Sequence, residues 1–406
     1  MKAGTPRLLR GINDRAALDV LLEQGPLSRT RLGELTGLSK PTAGQLLSRL
    51  EQDGLVVSVG STEGGRGPRA QLYAINPRAA LVAGLDVTSS RVLAAVADIT
   101  GRVVGEHELP TPRRPRPDVE AHVEQAVAGA CAAAGLTTDQ VRHLVIGTPG
   151  ALDPRTRRLR YARHLPGWHD PELLPRLADA FGHPVQVEND VNLAAVAERK
   201  VGAAREVDDF LLLWADEGLG AALVIDGRLH RGATGGAGEV GFLPLPGTPL
   251  RRDVRRGNAG GFQELAGGRQ VLALARSLGL RASTPAGAVA AALTTPGPGD
   301  ELIDQLAERF AVGIAAMVAV VDPALVILTG GVLVAGGSRL RDAIDVELGS
   351  LAAAHPTVAL SGVEGDPVLS GALHTALGLA RDEVFDTVRH PITTSGDARH
   401  VSRRSP

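Results

Sequence analysis

The stretch from Phe210 to Phe242, FLLLWADEGLGAALVIDGRLHRGATGGAGEVGF, decides the fold. Two apolar runs in it, Phe210 to Trp214 and Ala221 to Ile225, have the length and composition of buried strands. A polar turn with two glycines at 216–220 joins them, and Asp226-Gly227 after the second run is typical of a β-hairpin. The pattern predicts that two strands bring a glycine turn to one edge of a sheet.

Small residues follow this hairpin. A short run, Arg228 to His230, leads into Gly235-Gly236-Ala237-Gly238-Glu239. Because glycine and alanine let the backbone approach a ligand closely, the segment predicts a pocket that holds the Glu239 carboxylate.

The same layout occurs earlier in the chain. Leu81 to Leu85 and Val92 to Ala97 are apolar, with a small polar turn at 86–90 between them, and Thr100-Gly101 turns into Arg102 to Leu109. Helical sequence separates this unit from the later one. We interpret the repetition as a duplicated α/β lobe with a ligand cleft between the two copies.

Length and composition agree with a protein of several domains. The chain has 406 residues, of which 44% are hydrophobic, so it is expected to form two or three domains with substantial cores. A charged fraction of 22% and a net charge of −2 argue against a generally basic nucleic-acid coat and against an acidic disordered chain. Cys131 is the only cysteine, which excludes an intrachain disulfide and a metal cluster built of cysteines.

No part of the sequence indicates a membrane protein. No apolar run reaches the roughly 20 residues that span a bilayer, and Met1-Lys2-Ala3 does not begin a signal peptide. The sequence therefore predicts a cytoplasmic protein.

Residues 1–76 predict a winged helix-turn-helix domain. We expect three short helices capped by Asn13, Ser28 and Ser39, with a glycine turn at Thr36-Gly37 between the last two. A strand that starts at Gly54, a basic turn at 64–69 and a returning strand at 71–75 then form a β-hairpin wing.

Side chains on the third helix and the wing are of the types that reach base edges and phosphates. The candidate DNA-binding residues are Ser39, Lys40, Thr42, Gln45, Ser48 and Arg49 on the helix, and Arg66 and Arg69 on the wing. Residues 1–80 carry 11 Lys and Arg against 7 Asp and Glu, whereas the remainder of the chain is acidic. A small helical cap with a merely solvated polar face is the alternative, but helix spacing, turn, wing and charge together favour DNA binding.

A second set of polar side chains follows a short strand, Val185 to Val187. Asn189 and Asp190 lie after this strand and before a helix, at the position where α/β sheets bind ligands. An amide and a carboxylate there suit vicinal sugar hydroxyls, and the Asp190 carboxylate could deprotonate one of them. Taken alone, Asn189 is equally well interpreted as a helix N-cap.

Four motifs resemble those of the ROK family of repressors and sugar kinases. They are Val187-Glu188-Asn189-Asp190-Val191-Asn192, Gly235-Gly236-Ala237-Gly238-Glu239-Val240-Gly241, Leu165-Pro166-Gly167-Trp168, and Asp322-Pro323 followed by Leu328-Thr329-Gly330-Gly331. The likeness covers nearly the whole chain. It implies an α/β fold in which a winged helix precedes a two-lobed, actin/hexokinase-like (ribonuclease H-like) domain. It also implies contacts to an effector at Gly150, Asn189, Asp190, Glu239 and Gln263.

The chain departs from the family's kinases at the phosphate loop. Those kinases have Asp-x-Gly-Gly-Thr after the first strand, whereas this chain has Asp86-Val87-Thr88-Ser89-Ser90, with Thr88 and Ser89 where glycines leave room for phosphate. Gly218-Leu219-Gly220 also retains less glycine than the second loop of the kinases. Asp190 matches the family's catalytic base, but a base without a phosphoryl donor transfers nothing. We therefore expect Asp190 to bind a ligand and the protein not to be an enzyme.

The family's zinc-binding residues are also replaced. Phe242 stands in place of a histidine, and Val254, Arg256 and Gly261 stand in place of three cysteines. None of these side chains ligates zinc as the family does, so we expect no metal cofactor. Gln263 replaces a glutamate that touches sugar in the family.

The expected organisation is a winged helix at 1–76, a first lobe at 77–190 that a helix at about 366–380 closes, and a second lobe at 191–365. Residues 381–406, rich in Pro, Ser, Arg and His, are expected to be a disordered tail. The resemblance implies a homodimeric or tetrameric transcriptional repressor of carbohydrate-related genes that binds a DNA operator and a sugar-like effector. Two alternatives stay open: an ATP-dependent sugar kinase with a DNA-binding arm, and a regulator whose pocket is vestigial and whose signal is a protein partner.

Overall fold

A computed structural model describes residues 6–61, 70–111, 118–153, 155–156, 159–160, 165–250 and 260–386. Its N-terminal region consists, in chain order, of α1 (Pro6–Gln24), β1 (Leu27–Ser28), α2 (Arg29–Thr36), α3 (Lys40–Gln52), β2 (Val56–Ser61) and β3 (Gln71–Ile75). The strands form a small antiparallel sheet in the order β1-β3-β2. The helix-turn-helix and the wing strands predicted from the sequence are confirmed.

Two of the three predicted caps are confirmed. The Ser28 hydroxyl accepts the Arg31 N–H at 3.2 Å, and the Ser39 hydroxyl accepts the Thr42 N–H at 3.4 Å. The Asn13 cap is wrong, because α1 begins at Pro6 and Asn13 lies inside it. An asparagine within a helix costs only about 0.7 kcal/mol relative to alanine, so it does not force a helix to start there.

The first lobe follows the winged helix. Its elements are β4 (Leu81–Val87), β5 (Arg91–Asp98), β6 (Val103–Pro110), α4 (Val119–Ala133), β7 (Val141–Thr148), β8 (Ala151–Leu152), β9 (Leu159–Arg160), α5 (Leu173–Phe181) and β10 (Val185–Asn189). Its main sheet has the order β10-β7-β4-β5-β6. The helix α6 (Asp190–Val201) follows β10 and packs against both lobes.

The second lobe has a sheet of the same design. It contains β11 (Phe210–Ala215), β12 (Leu219–Ile225), β13 (Arg228–Leu229), α7 (Gly261–Ala266), α8 (Gly268–Ser277), α9 (Pro285–Ala292), α10 (Pro298–Val321), β14 (Leu325–Thr329), α11 (Gly331–Leu351) and β15 (Thr357–Leu360). The sheet order is β13-β12-β11-β14-β15.

The two sheets confirm the duplication. In each, the first strand is central, the next two strands continue antiparallel on one side, and the last two lie parallel to it on the other. The predicted hairpin turn is also present: Asp226 and Gly227 have φ angles of 49° and 68°, as a type I′ turn requires.

The chain returns to the first lobe in α12 (Pro367–Asp386), which packs across the first sheet and along α6. Glycines allow the close approach, since a Cβ at Gly147 would lie 2.5 Å from Val368 and one at Gly371 would lie 1.9 Å from the Leu193 carbonyl. The predicted disordered tail is wrong over residues 381–386, which are helical. Phe385 is 1% exposed there, because it packs in the same core as α1. Residues 387–406 lie outside the described part of the chain.

Among the described residues, no helix combines the length and the apolar character that a membrane crossing requires. Cys131 is buried in the first lobe and carries a free thiol.

Candidate functional site

The candidate nucleic-acid face is a groove along α3. Its lining residues are Arg29, Lys40, Pro41, Gly44, Gln45, Ser48, Arg49 and Gln52. Lys40, Gln45 and Ser48 are exposed, because Ala43, Leu46, Leu47 and Leu50 turn the opposite face of the helix into the core. Ser39 and Thr42 lie at the start of the helix, with their hydroxyl oxygens 2.8 Å apart. The structure therefore brings the predicted helix residues to one surface, and Arg66 and Arg69 lie outside the described residues.

Arg49 differs from the other predicted DNA contacts. Its guanidinium is ion-paired with Asp14 of α1, whose side chain is 2% exposed, while Arg49 itself is 37% exposed. Burial raises the pKa of Asp14, and Arg49 opposes that shift. The ion pair gives Arg49 a structural role between α1 and α3, and its contact with DNA stays a prediction.

The interpretation of Asn189 as a helix N-cap is confirmed, and its contact with an effector stays a prediction. Its Oδ1 accepts the Asn192 N–H at 3.1 Å and so caps α6. Its Nδ2 donates to the Gly150 carbonyl at 3.1 Å and to Asp190 Oδ1 at 3.0 Å. Gly150 has a φ of 93°, a conformation that favours glycine, and this turn delivers its carbonyl to the amide.

Asp190 and Glu239 come from different lobes and lie close enough for their charges to interact. Asp190 is the first residue of α6, and its Oδ1 also accepts the Val191 N–H at 2.8 Å. Burial raises the pKa of Asp190 to about 7. Glu239 follows Gly238, whose backbone docks on β12 so closely that a Cβ would lie 1.9 Å from the Ala221 carbonyl. Burial, and then the charge of Asp190, raise the pKa of Glu239 to about 7. Two carboxyl groups, each with a pKa of about 7, therefore lie near each other.

Gln263 lies beside the cleft, and its amide holds the glycine turn of the second lobe. Its Oε1 accepts the Leu219 N–H at 2.9 Å, and its Nε2 donates to the Glu217 carbonyl at 3.1 Å. Both ends of the amide are thus bonded to backbone, and a contact between Gln263 and an effector stays a prediction.

The turn after β4 is closed by its own side chains. Thr88 Oγ1 accepts the Arg91 N–H at 3.0 Å and the Ser90 N–H at 3.3 Å. Arg91 donates to Asp366 at 2.7 Å and to Asp86 at 3.4 Å, so its guanidinium bridges the end of β4 and the start of α12. Burial and the neighbouring Asp366 carboxylate raise the pKa of Asp86. Sequence reasoning missed the pair of Arg91 and Asp366, because Asp366 is 275 residues away along the chain.

A further pair that the sequence did not reveal joins the two lobes. Arg231, after β13, donates from Nε to Glu188 Oε2 at 2.6 Å. Glu188 is nearly buried, and its other oxygen accepts from Asn192 Nδ2 at 2.9 Å. The pair lies next to Asn189 and Asp190 and ties the loop that carries Glu239 to the strand that carries them.

Two of the residues that stand at the family's zinc positions are described, and these two do not fit a zinc ion. Phe242 offers no ligand atom, and a Cβ at Gly261 would lie 1.8 Å from the Leu243 carbonyl, so a cysteine side chain cannot be accommodated there. Val254 and Arg256 lie outside the described residues. Within the described ranges, no three His, Cys, Asp or Glu side chains are arranged to hold a metal ion.

The fold defines a class of protein, a two-lobed α/β domain joined to a winged helix. The ROK family profile matches residues 82–372, and the MarR family profile matches residues 13–67. The chain therefore belongs to the ROK family and has a MarR-type winged helix at its N-terminus.

Named relatives and solved structures are similar to all or part of this chain. The chain is 26% identical over 348 residues to the xylose repressor of Caldicellulosiruptor bescii, covering 80% of this chain and 84% of that protein. It is 24% identical over 265 residues to the DNA-binding transcriptional dual regulator NagC of Escherichia coli, covering 65% and 64% of the two chains. A ROK family transcriptional regulator described as a homologue of the E. coli MLC protein superposes with a TM-score of 0.73 at 20% identity, over 94% of this chain and 99% of that one. The ROK hexokinase of Thermus thermophilus gives a TM-score of 0.63 at 30% identity, over 74% and 99%.

Proposed function

We propose that the protein is a DNA-binding transcriptional repressor of carbohydrate-related genes, and that a sugar or sugar-like effector in the cleft controls its binding to an operator. The exposed groove of α3, the basic N-terminal region and the likeness to repressors of xylose and N-acetylglucosamine genes support the DNA-binding role. The amide and carboxyl groups of Asn189, Asp190 and Glu239 support a ligand with several hydroxyl groups. Such a regulator acts in the cytoplasm, where bacterial DNA lies.

One observation carries the proposal, a hydrophobic core that the winged helix shares with the first lobe. Leu18 and Leu21 of α1 belong to the same buried cluster as Leu377 and Phe385 of α12 and Val82 of β4. The winged helix is therefore packed on the lobe rather than tethered by a linker.

The helix α12 connects this core to the effector residues. Along its first half, α12 packs on α6, whose N-terminus holds Asn189 and Asp190. At its other end, Asp382 accepts from Arg15 of α1 at 2.9 Å, and the Arg15 guanidinium lies 5.3 Å from the centre of the Phe385 ring. A displacement of α6 on lobe closure would move α12 and, through Arg15, the winged helix.

The direct test is binding to DNA fragments selected from the genome by the purified protein. We expect a selected duplex to bind, and its affinity to change in the presence of a sugar from a panel that includes D-xylose and N-acetylglucosamine. Thermal stability is measured with the same panel, since a ligand at 100 times its dissociation constant adds about 2.7 kcal/mol of stability. A protein that binds the duplex but responds to no sugar in either assay would favour the vestigial pocket and a protein partner.

We further propose that the protein does not transfer phosphate. Thr88 Oγ1 accepts the Ser90 and Arg91 backbone N–H groups of the turn after β4, and the Arg91 guanidinium is bonded to Asp86 and Asp366, so the donors that would bind a phosphate are engaged within the chain.

A sugar kinase is the second candidate, because Asp190 is retained with a pKa near 7, which suits a general base, and the Thermus thermophilus hexokinase is 30% identical. A coupled assay with ATP and the sugar panel separates the two functions. Turnover that Asp190→Asn abolishes would establish the kinase and contradict the repressor-only proposal.

Cofactor and assembly are part of the same proposal. We expect folding and DNA binding without zinc, so that a chelator leaves the melting temperature unchanged. A loss of stability on chelation would contradict this expectation.

We expect a homodimer or a tetramer, because a helix-turn-helix dimer places two recognition helices in successive major grooves of a palindrome. Light scattering of the purified protein measures the assembly.

A further inference from the structure

Arg29 lies in the α3 groove, although it belongs to a different helix. It is the first residue of α2, directly after the Ser28 cap, and it lines the groove together with Lys40 and Gln45. A Cβ added at Gly44 of α3 would lie 3.8 Å from Arg29 Cδ, so the arginine stem runs past the one position of α3 that has no side chain there.

Tyr73 of the wing fixes the orientation of Arg29. The guanidinium donates from Nε at 3.1 Å, and also from Nη2, to the Tyr73 hydroxyl, and its Cζ is 5.4 Å from the centre of the ring. Tyr73 is 1% exposed and is therefore a rigid support. Its hydroxyl donates to Gln71 Oε1 at 3.0 Å, and Gln71 Nε2 donates to Ser58 Oγ at 2.8 Å. This chain of hydrogen bonds reaches both strands of the wing.

The charge of Arg29 is not neutralised by these contacts. Its partner is a phenol, and among the described residues no carboxylate lies within ion-pair distance of it. Arg31, two residues later on α2, is by contrast paired with Glu34 at 3.0 Å. A guanidinium that is orientated in advance and keeps its charge is well suited to bind a phosphate, which accepts paired N–H bonds.

We propose that Arg29 contacts a backbone phosphate at the edge of the major groove and positions α3 on DNA, without reading a base. Held at the wall of the groove by Tyr73, it fixes the docking of α3, while the exposed side chains of α3 read the sequence. The inference rests on the proposed DNA-binding function.

The test measures the affinity of a selected duplex and of a shuffled duplex by fluorescence anisotropy between about 50 and about 300 mM salt. Arg29→Ala is expected to weaken both duplexes by a similar factor, about tenfold, and to lower the slope of log affinity against log salt by about 0.9. Arg31→Ala removes one charge from the same helix and is the matched control, with little change expected in either quantity. Tyr73→Phe keeps the ring and the charge, so affinity falls about threefold at an unchanged slope.

Two other results for Arg29→Ala would overturn the inference. If Arg29→Ala and Arg31→Ala behave alike in affinity and in slope, the inference is overturned. It is also overturned if Arg29→Ala weakens only the selected duplex, since Arg29 would then read a base. Circular dichroism confirms that each variant is folded. A wild-type protein that binds no duplex overturns the proposed function and this inference with it, whereas normal binding by the wild type isolates the failure to Arg29.

Discussion

The carboxyl group of Asp190 is largely buried. Burial raises its pKa to about 7, whereas an aspartate in an unfolded chain titrates near about 3.9. Between these two values the folded state holds more protons than the unfolded state. The free energy of unfolding therefore falls as the pH rises from about 4 to about 7, and the full destabilisation is present above pH 7.

Asp190→Asn is expected to remove this pH dependence. The amide oxygen still accepts the Val191 N–H, but no charge is buried. In urea unfolding, the variant should be more stable than the wild type by about 4 kcal/mol at pH 8, and the two should converge near pH 4. Asp226→Asn is the matched control, since Asp226 is exposed in a type I′ turn that accepts either residue. A difference for Asp190→Asn that is the same at pH 4 and pH 8 would show that burial of the charge is not its cause.

Arg49 and Gln45 share the groove but should respond differently to mutation. Arg49→Ala leaves the buried Asp14 carboxyl without its partner, so we expect a loss of about 3 kcal/mol in unfolding free energy. Gln45 is exposed, so Gln45→Ala should change the free energy of unfolding by less than about 0.5 kcal/mol. It should also relax the preference for one operator sequence. Chemical denaturation of both variants checks the stabilities. Equal stability of the two variants would mean that the Asp14–Arg49 pair contributes nothing to the fold.

At the scale of elements, the contact between α12 and α6 depends on the absence of a side chain at Gly371. Gly371→Ala would place a Cβ 1.9 Å from the Leu193 carbonyl, and backbone cannot yield as a flexible side chain does. We expect a loss of about 2 kcal/mol or more, measured by thermal or urea unfolding. Gly378→Ala lies on the same helix with no heavy atom within 4 Å, and it should instead gain about 0.5 kcal/mol because alanine favours a helix. Both substitutions shifting stability in the same direction would contradict this packing.

Sequence reasoning succeeded where the signal is local. Apolar runs bounded by Asp226-Gly227 and Thr100-Gly101 predicted both hairpins, and their repetition predicted the duplicated sheets. It failed at the end of α12, where Arg381, Asp382 and Glu383 resemble a solvated tail. Their partners are the Ile99 carbonyl, Arg15 and His143, all far away in the chain.

The difference between local signals and distant partners also explains which candidate site residues could be predicted. The side chains that α3 exposes could be found, because the helix period assigns its face, and Asn189 could be found from its position between a strand and a helix. The Arg91–Asp366 and Arg231–Glu188 pairs could not, since the two residues of each pair are far apart in the chain.

At the scale of the whole molecule, the winged helix, the first lobe and α12 form one packed unit, and the second lobe meets it across the cleft. Arg231–Glu188 is the described ion pair that joins the two lobes beside Asn189 and Asp190. Arg15–Asp382 joins α1 to the far end of α12. A ligand that changes how the lobes meet therefore acts on a helix that already contacts the DNA-binding domain.

The central claim is that the cleft and the operator-binding groove are energetically coupled through α12. By linkage, the factor by which bound operator changes the affinity for the sugar equals the factor by which bound sugar changes the affinity for the operator. The most direct measurement is calorimetric titration of the free protein and of its operator complex with the sugar that gives the largest thermal shift. We predict that the two dissociation constants differ by at least about fivefold, and that they converge in Arg15→Ala, which lacks the contact between α1 and α12. Equal dissociation constants in the free wild-type protein and in its operator complex would contradict the account.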